Sequence, residues 1–498
     1  MTYVLGLDLG TSSIKGLLMD REGTIVAIES EEYPLYHPYP GYSEQDPSDW
    51  VKGAKGVIQK ILEKFPETAE SIEAISFSGQ MHSLILLDAQ DNVLRKAILW
   101  NDVRTTKQCK TIMERFGDKV LQINKNLALE GFTLPKMLWV QENEPEIWGK
   151  VASFLLPKDY LAFWLTGNKT MEYSDAAGTL LLDIKEKDWS REVLETFNVP
   201  ATICPKLTTS TGFVGNIQEE VAKELGLKNT VPVFAGAADN AAAAVGAGIM
   251  TEDKAMASIG TSGVFLSYEE NADKDFGGNL HYFNHAAENA YYIMGVTLAA
   301  GHSLTWFKNT FAEEDDYQTL LNGIDQVPVG SNGLLFTPYI VGERSPHIDS
   351  QVRGSFVGVD TSHTKKDFTR AVLEGVTFSL KDSQELLKEH ANKTFETIVS
   401  VGGGAQNEEW LQIQADIFGA KVITLEIEQG PAMGAIMIAA VGAGWFPDLK
   451  SCAEVFVRYQ KEILPKEENV KKYEQLYSIY REIYPATKEL THKLQQFR

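Results

Sequence analysis

Three short apolar runs open the chain, and turn residues separate them. The runs cover residues 3–8, 13–19 and 24–31, and each has the length and composition of a β-strand. The turns between them contain Gly10 and Gly23 and are too short to hold a helix. Strands joined by such short turns run antiparallel. The beginning of the chain therefore predicts a β-meander rather than a βαβ unit.

An amphipathic helix is predicted after the meander. Asp46 suits the N-cap, Pro47 the first helical position and Asp49 the first turn. Apolar residues then recur at helical spacing, namely Trp50, Val51, Ala54, Val57, Ile58, Ile61 and Leu62. One face of this helix is expected to pack on the sheet. A strand over 74–78 and a hairpin of 84–88 with 93–99 follow.

The second half of the chain repeats the beginning. Residues 7–14 read Leu-Asp-Leu-Gly-Thr-Ser-Ser-Ile, and residues 258–265 read Ser-Ile-Gly-Thr-Ser-Gly-Val-Phe. In both, a Gly-Thr-Ser turn joins two short apolar runs. The repeat predicts two related halves, and a segment of small residues, 235–248, lies just before the second copy. We therefore predict two domains, 1–246 and 247–498.

Composition and charge exclude several classes of partner. The chain has 498 residues, of which 44% are hydrophobic and 23% charged, as in globular proteins of two or three domains. The net charge of -22 disfavours nucleic acid and membrane surfaces, because Lys and Arg clusters supply most of the binding to both. The apolar stretch 431–445 is shorter than the roughly 20 residues of a membrane span and predicts a buried helix.

Cysteine usage and the N-terminus indicate the compartment. Cys109, Cys204 and Cys452 are far apart and form no CxxC pair, so the pattern favours neither a disulfide framework nor a zinc cluster. The first residues carry no basic segment ahead of an apolar stretch, unlike a secretion signal. A cytoplasmic protein is expected.

The two Gly-Thr-Ser turns are candidate phosphate-binding loops. Such a turn offers backbone N–H groups and two hydroxyls to an anion, and glycine allows close approach. A Walker loop, GxxxxGK[ST], does not occur in the chain. Either turn alone is also an ordinary hairpin turn. One copy in each half, however, favours a nucleotide held from both sides of a cleft.

Two carboxylates adjoin these segments. Asp8 ends the first strand, where it could hold Mg²⁺ through water or serve as an Asx-turn residue. Asp239 lies where a strand over 231–235 gives way to a small-residue helix. It could be a plain N-cap or a base kept ionised by the helix dipole, and the local pattern favours the N-cap.

Polar strings also follow predicted strands at three places. Residues 78–82, Ser-Gly-Gln-Met-His, and residues 100–102, Trp-Asn-Asp, could hydrogen-bond a polyol, although a histidine satisfied within a turn fits the first equally well. The glycines of 401–407 precede a predicted helix over 408–418. There an adenine ring or ribose could lie against the backbone.

The chain resembles the FGGY carbohydrate kinases of the actin-like ATPase superfamily over essentially its full length. The string at 131–140, Gly-Phe-Thr-Leu-Pro-Lys-Met-Leu-Trp-Val, fits the first family signature. The string at 354–359, continuing to Asp367, Phe368, Ala371 and Glu374, fits the second. The resemblance implies two actin-like, ribonuclease H-like α/β domains. Each would contain a mixed five-stranded sheet flanked by helices, with the active-site cleft between the domains.

Within this family, three strings are similar to those of the branch that phosphorylates D-xylulose. They are 42–47, 80–82 and 98–102, and the strings at 156–160 and 173–179 support the same branch. The implied reaction transfers phosphate from ATP to the 5-hydroxyl of D-xylulose, giving D-xylulose 5-phosphate and ADP in xylose catabolism. The alternatives are a kinase for another polyol or ketose, such as ribulose or glycerol, and a non-metabolic actin-like ATPase. A homodimer is also compatible with the sequence.

The resemblance also implies roles for individual residues. Asp239 would be the catalytic base, and Asp8 would serve the Mg²⁺–ATP centre. The sugar site would comprise Met81, His82, Trp100, Asn101, Asp239 and Asn240. The nucleotide would contact Thr11, Ser12, Thr261, Gly301, Thr305, Gly403 and Asn407. Two positions depart from the family pattern: Ser83 and the pair Ala237-Ala238 stand where glycines are common, and Ser83 bears on which ketose fits.

Overall fold

The predicted meander forms part of the first sheet in a computed structural model that describes residues 1–498. Its strands β1 (Tyr3–Leu9), β2 (Ser13–Asp20) and β3 (Ile25–Glu32) pair antiparallel in sequence order. The other strands of this half are β4 Glu44–Gln45, β5 Ile72–Gly79, β6 Ile85–Leu87, β7 Ala97–Ile98, β8 Ser153–Leu155, β9 Thr170–Glu172, β10 Leu182–Asp183, β11 Asp188–Trp189, β12 Lys206–Thr208, β13 Phe213–Asn216, β14 Pro232–Phe234 and β15 Ala237–Ala238. Its helices are α1 Pro47–Lys64, α2 Thr106–Phe116, α3 Asp118–Asn124, α4 Thr133–Asn143, α5 Pro145–Trp148, α6 Pro157–Thr166, α7 Tyr173–Ala177, α8 Arg191–Thr196, α9 Glu219–Leu225 and α10 Asp239–Gly246.

The second half builds another mixed sheet. Its strands are β16 Lys254–Ile259, β17 Gly263–Glu269, β18 His281–Asn284, β19 Tyr291–Thr297, β20 Leu335–Thr337, β21 Ser355–Val357, β22 Thr397–Gly402, β23 Lys421–Leu425 and β24 Tyr459–Ile463. Its helices are α11 Gly301–Phe311, α12 Tyr317–Leu321, α13 Lys365–Ala391, α14 Glu408–Phe418, α15 Pro431–Gly442, α16 Leu449–Phe456 and α17 Glu467–Leu494.

The two main sheets share one internal arrangement, as the sequence repeat predicts. The first has the order β13-β14-β5-β1-β2-β3, with β15 also beside β5, and the second has the order β18-β19-β17-β16-β22-β23-β24. In each, a Gly-Thr-Ser hairpin pairs antiparallel, and its first strand pairs parallel with a later strand, β5 or β22. The mixed α/β architecture is confirmed. Each sheet has seven strands rather than the predicted five, because short strands such as β15 join through distant pairings.

The first helix begins as predicted, whereas the hairpin after β5 is only partly right. The Asp46 carboxylate accepts a hydrogen bond from the Ser48 N–H at 2.9 Å, as an N-cap does. β6 and β7 are linked to their neighbours in the predicted hairpin only by isolated bridges. Their main partners are β8 and β4, respectively. Local alternation predicted strands here but carried no information about these distant partners.

Helix α15 joins the two halves. It is buried along most of its length, as predicted for the apolar stretch, and it contacts β1, β5 and α10. A Cβ on Gly6 of β1 would lie 2.9 Å from the Ile436 nitrogen, and one on Gly434 would lie 2.1 Å from the Ala242 carbonyl oxygen. Glycine is needed at both positions for this close packing. The helix that begins at Asp239 is thereby fixed against the core.

Two further findings bear on the sequence predictions. None of the helices is both long and apolar enough to cross a bilayer. The three cysteines are free thiols. The division of the chain at residues 246 and 247 stays a prediction.

Candidate active site

Both Gly-Thr-Ser turns close tight hairpins, with four residues between the paired ends of β1 and β2 and three between those of β16 and β17. In hairpin loop 1 (residues 10–12), the Gly10 N–H donates to the Ser13 carbonyl at 3.0 Å. In hairpin loop 2 (residues 260–262), the Gly260 N–H donates to the Ser262 carbonyl at 3.0 Å. The predicted turns are confirmed as tight connections between antiparallel strands.

Tyr33 and Gln45 hold the carbonyl groups of hairpin loop 1. The Tyr33 hydroxyl donates to the Gly10 carbonyl, and the Tyr33 N–H donates to that of Ser12 at 3.2 Å. The Gln45 amide donates to the Thr11 carbonyl at 2.6 Å. The N–H groups of Thr11 and Ser12 have no partner within the protein. Carbonyls drawn into the protein and free N–H groups produce a concavity suited to an anion.

Hairpin loop 2 is held by the start of α11 instead. The Gly301 N–H donates to the Gly260 carbonyl at 2.8 Å, and the N–H groups of Ala300 and His302 donate to the Thr261 carbonyl at 3.0 and 3.1 Å. A Cβ on Gly301 would lie 2.5 Å from the Gly260 oxygen. Only glycine permits this approach.

A cavity of about 1000 Å³ opens beside hairpin loop 2. This volume is at the upper end of the range for ligand pockets and has room for a nucleotide. Its lining includes five of the residues predicted to contact the nucleotide, namely Thr261, Gly301, Thr305, Gly403 and Asn407. The other two, Thr11 and Ser12, lie on hairpin loop 1 and do not line it.

The cavity also has lining residues that the sequence did not reveal. Tyr317, at the start of α12, shares a hydrogen bond with the Thr305 hydroxyl at 2.8 Å. Nothing in the pattern around so short a helix marks it as part of a site. Asn407 has a structural duty as well, because its side chain caps α14 by accepting from the Trp410 N–H at 2.9 Å.

Asp239 begins α10 at the edge of the first sheet. β1, β5 and β15 are parallel neighbours, in which Leu9 pairs with Gly79 and Gly79 with Ala238, so Asp8 and Asp239 emerge at the same edge. The N-cap interpretation is wrong: Ala238 holds that position, and Asp239 makes no capping bond. Its carboxylate instead accepts from the N–H and the side-chain amide of Asn240, at 2.7 and 3.0 Å.

Burial changes the protonation of both carboxylates. It raises the pKa of Asp239 to about 7, with a further contribution from the negative charge of Asp8. Burial also raises the pKa of Asp8, while a hydrogen bond from the Ser78 hydroxyl at 2.6 Å and the positive charge of Lys15 oppose the rise. A base with a pKa near neutrality is suited to accepting a proton at physiological pH.

The Met81 and His82 side chains lie beside this edge. The Met81 sulfur receives hydrogen bonds from the Asn240 amide and the Tyr292 hydroxyl, each at 3.7 Å. His82 has a φ of 67°, and its ring nitrogen Nδ1 contacts the Gly178 carbonyl at 2.6 Å. Burial lowers the pKa of His82 to about 3, so the imidazole is neutral. The structure thus brings Met81, Asn240 and Asp239 together.

Trp100 extends this polar region to hairpin loop 1. Its indole N–H donates to the Thr11 hydroxyl at 2.9 Å, and its backbone N–H donates to the Ser83 hydroxyl at 3.1 Å. Ser83 is fully buried, so its hydroxyl ties two polar strings together. Asn101 is exposed. Asp102 is buried and forms an ion pair with Arg104 at 2.7 Å, a structural role.

Two residues that support this polar region received no role from the sequence. Tyr292 comes from β19 in the second half and reaches Met81, a contact without any local signal. Lys136, inside the first signature string, is fully buried and donates to the carbonyl oxygens of Phe132 at 2.9 Å and His82 at 3.4 Å. Burial lowers the pKa of Lys136 to about 7. The lysine holds the backbone that carries the His82 ring.

A buried charged cluster supports the segment before Asp239. Lys158 lies 2.6 Å from Asp159, 3.3 Å from Glu172 and 3.1 Å from Asp175. Glu172 accepts from the Ser174 hydroxyl, which in turn accepts from the Ala238 N–H at 2.9 Å. The departure from glycine at 237–238 is accommodated because both alanines are buried in β15, paired with β5.

Comparisons with known proteins agree with this geometry. The N-terminal domain model of the FGGY family of carbohydrate kinases matches residues 3–246, and the C-terminal domain model matches residues 255–443. A xylulose kinase of Bacillus subtilis is 53% identical over 498 residues, covering 100% of both chains. One from Lactococcus lactis is 51% identical, covering 100% of this chain and 99% of the relative.

A solved structure extends the likeness to three dimensions. The ligand-bound xylulose kinase of Lactobacillus acidophilus superposes with a TM-score of 0.94 at 28% identity, covering 99% of this chain and 100% of that one. Two mixed sheets with matching hairpin loops, a nucleotide-sized cavity and family models spanning both halves lead to one conclusion. The chain belongs to the FGGY family of carbohydrate kinases.

Proposed function

We propose that this chain transfers phosphate from ATP to the 5-hydroxyl of D-xylulose, giving D-xylulose 5-phosphate and ADP. The full-length relatives are named xylulose kinases, which favours D-xylulose over ribulose or glycerol. One structural observation carries the chemistry: Asp239 emerges beside Asp8, next to Met81 and Asn240. A base, a polar sugar side and two phosphate loops thereby come from one chain.

Asp239 accepts the proton of the attacking hydroxyl. As the bond between the sugar oxygen and the γ-phosphorus forms, the bond from that phosphorus to the β-phosphate oxygen breaks, and ADP leaves. The hydroxyl loses its proton late in a loose transition state, so a weak base in the right place suffices. With a pKa of about 7, a large share of Asp239 is ionised at neutral pH.

The N–H groups of both hairpin loops stabilise charge on the transferred phosphoryl group. Thr11 and Ser12 direct theirs from loop 1, and Thr261 and Ser262 direct theirs from loop 2. These donors are fixed in advance because the carbonyl groups of each loop are already bound by the protein. Little reorganisation is needed as charge develops.

Mg²⁺ fits beside Asp8. Only one hydroxyl, that of Ser78, donates to this half-buried carboxylate, which leaves oxygen lone pairs for a hydrated cation. Mg²⁺ prefers oxygen ligands and usually retains several waters, so Asp8 would hold it through water. When bound, the ion would neutralise phosphate charge.

The proposal includes a metabolic setting and a compartment. Phosphorylation of D-xylulose belongs to xylose catabolism, and a cytoplasmic location is supported by three free thiols. The net charge of -22 supports small molecules, rather than nucleic acid or membrane, as partners.

An assay of ADP release over a panel of acceptors tests the proposal. D-xylulose should give the fastest turnover among D-xylulose, D-ribulose, pentitols and glycerol, and mass spectrometry with NMR should locate the phosphate on the 5-oxygen. Faster turnover with ribulose or glycerol would assign the chain to another polyol. ADP release at one rate with or without any acceptor would identify a non-metabolic ATPase.

A further inference from the structure

We infer that Gln45 is a positioning residue that couples the sugar side of the cleft to hairpin loop 1. The inference rests on the proposed function, because it assigns that loop to phosphate and the Trp100 region to sugar. Gln45 is not assigned a direct contact with the sugar or with the phosphate. It acts through Thr11, whose carbonyl it binds at 2.6 Å.

The Gln45 amide is fully committed to hydrogen bonds. It is completely buried, and its nitrogen donates to the carbonyls of Thr11 at 2.6 Å and Pro34 at 3.3 Å. Its oxygen accepts from the Trp50 indole and the Gln80 amide, each at 3.0 Å. Carbonyls only accept and an indole N–H only donates, so the amide has one permitted orientation. A side chain fixed in this way links the positions of its hydrogen-bond partners, so its role is more than packing.

Gln45 and Trp100 both form hydrogen bonds to Thr11. β4, which contains Gln45, pairs with β7, and the chain reaches Trp100 two residues after β7 ends. The Trp100 indole binds the Thr11 hydroxyl at 2.9 Å while Gln45 binds the Thr11 carbonyl. Trp100 is also 44% exposed, which leaves its ring available to a sugar. A ligand on this ring therefore contacts a residue that is bonded directly to the phosphate loop.

The difference between the two hairpin loops indicates why this matters. In hairpin loop 2, the Thr261 carbonyl is held by backbone N–H groups of Ala300 and His302, within the nucleotide half. In hairpin loop 1, the equivalent carbonyl is held by the side chain of Gln45, which is bonded to Gln80 beside Met81. Only loop 1 thus depends on the sugar side for its orientation.

Two matched variants separate coupling from packing. Gln45→Met keeps a buried side chain of similar length but removes all four hydrogen bonds of the amide, those with Thr11, Pro34, Trp50 and Gln80. Trp50→Phe removes only the hydrogen bond from the indole to the Gln45 oxygen and leaves the bond to Thr11 in place. For each variant, one measures kcat and KM with D-xylulose, and the Kd of a nonhydrolysable ATP analogue with and without D-xylulose.

We expect Gln45→Met to lower kcat by about 5-fold to 150-fold, the range that results if the cost of the unpaired Thr11 carbonyl is borne by the transition state. The effect of D-xylulose on the analogue Kd should fall towards none. Trp50→Phe should keep kcat within about twofold and retain the sugar effect, although it also removes one buried hydrogen bond of the Gln45 amide. The inference would be overturned if kcat fell equally in the two variants. It would also be overturned if D-xylulose changed the analogue Kd of Gln45→Met as much as that of the unsubstituted enzyme.

Trp100→Phe is the alternative variant for this experiment if Gln45→Met does not fold. It keeps an aromatic ring but removes the other bond to Thr11, and it should also reduce the sugar effect on the analogue Kd. An unchanged sugar effect there would count against the network. Failure of the proposed function is seen separately, since the unsubstituted enzyme would then not phosphorylate D-xylulose.

Discussion

Replacing Asp239 by asparagine removes the proposed base with the least structural change. The carboxylate oxygen that accepts from Asn240 at 2.7 and 3.0 Å has an amide oxygen as its counterpart in asparagine. The start of α10 should therefore be preserved. Loss of a general base lowers turnover by about 10²-fold to 10⁴-fold. ATP binding should persist, because the nucleotide cavity lies beside hairpin loop 2.

The same substitution should stabilise the protein at alkaline pH. Raising the Asp239 pKa from 3.8 to about 7 corresponds to about 4 kcal/mol at 1.36 kcal/mol per pH unit. The side chain is only partly buried, so solvent screening reduces this to on the order of 2 kcal/mol. A carboxyl whose pKa rises on folding favours the folded state below its unfolded pKa. That stability is lost as the pH rises from 3.8 through about 7.

The assays are steady-state kinetics and thermal unfolding across a pH series. In the unsubstituted enzyme, kcat/KM should fall tenfold per unit below about pH 7 as Asp239 gains its proton. The asparagine variant should melt at a higher temperature than the unsubstituted enzyme at pH 8, and the difference should shrink towards pH 5. Near-normal turnover, or a lower melting temperature at pH 8, would refute the assignment of Asp239 as a catalytic carboxylate with a raised pKa.

Three further substitutions test other parts of the site. His82→Ala should raise the Kd for D-xylulose more than that for ATP, since the ring lies on the sugar side, and equal losses in both titrations would contradict that placement. Gly301→Ala should raise the KM for ATP by about tenfold or more, because its Cβ would meet the Gly260 carbonyl oxygen at 2.5 Å; an unchanged KM would exclude the need for glycine. Lys158→Met should cost about 3–5 kcal/mol of stability by leaving buried carboxylates uncompensated, and an unaltered melting temperature would argue against that cluster as a structural support.

The family signatures locate structural supports rather than reacting groups. Glu374, in the second signature, is buried and accepts from the Gly330 N–H, the Ser331 hydroxyl, Arg370 and Tyr473. Lys136, in the first, holds the backbone near the His82 ring. A signature string therefore identifies the family without by itself showing which residues perform the chemistry.

The sequence by itself determined the features that depend on near neighbours along the chain. Both Gly-Thr-Ser hairpins, the helix capped by Asp46 and the buried helix α15 follow from turn residues, caps and apolar periodicity. The internal repeat also predicted two related sheets. Each of these features is encoded within a few residues, so local hydrogen bonding and patterning suffice to predict it.

Only the tertiary structure decided which distant groups meet. In the structure, Ala238 rather than Asp239 is the N-cap of α10, the first sheet includes the additional strand β15, and Tyr292 contacts Met81. The pKa of Asp239 likewise depends on burial and on Asp8, some 230 positions earlier in the sequence. Pairing energies, desolvation and charge–charge interactions act through space, and residue spacing along the chain does not contain those distances.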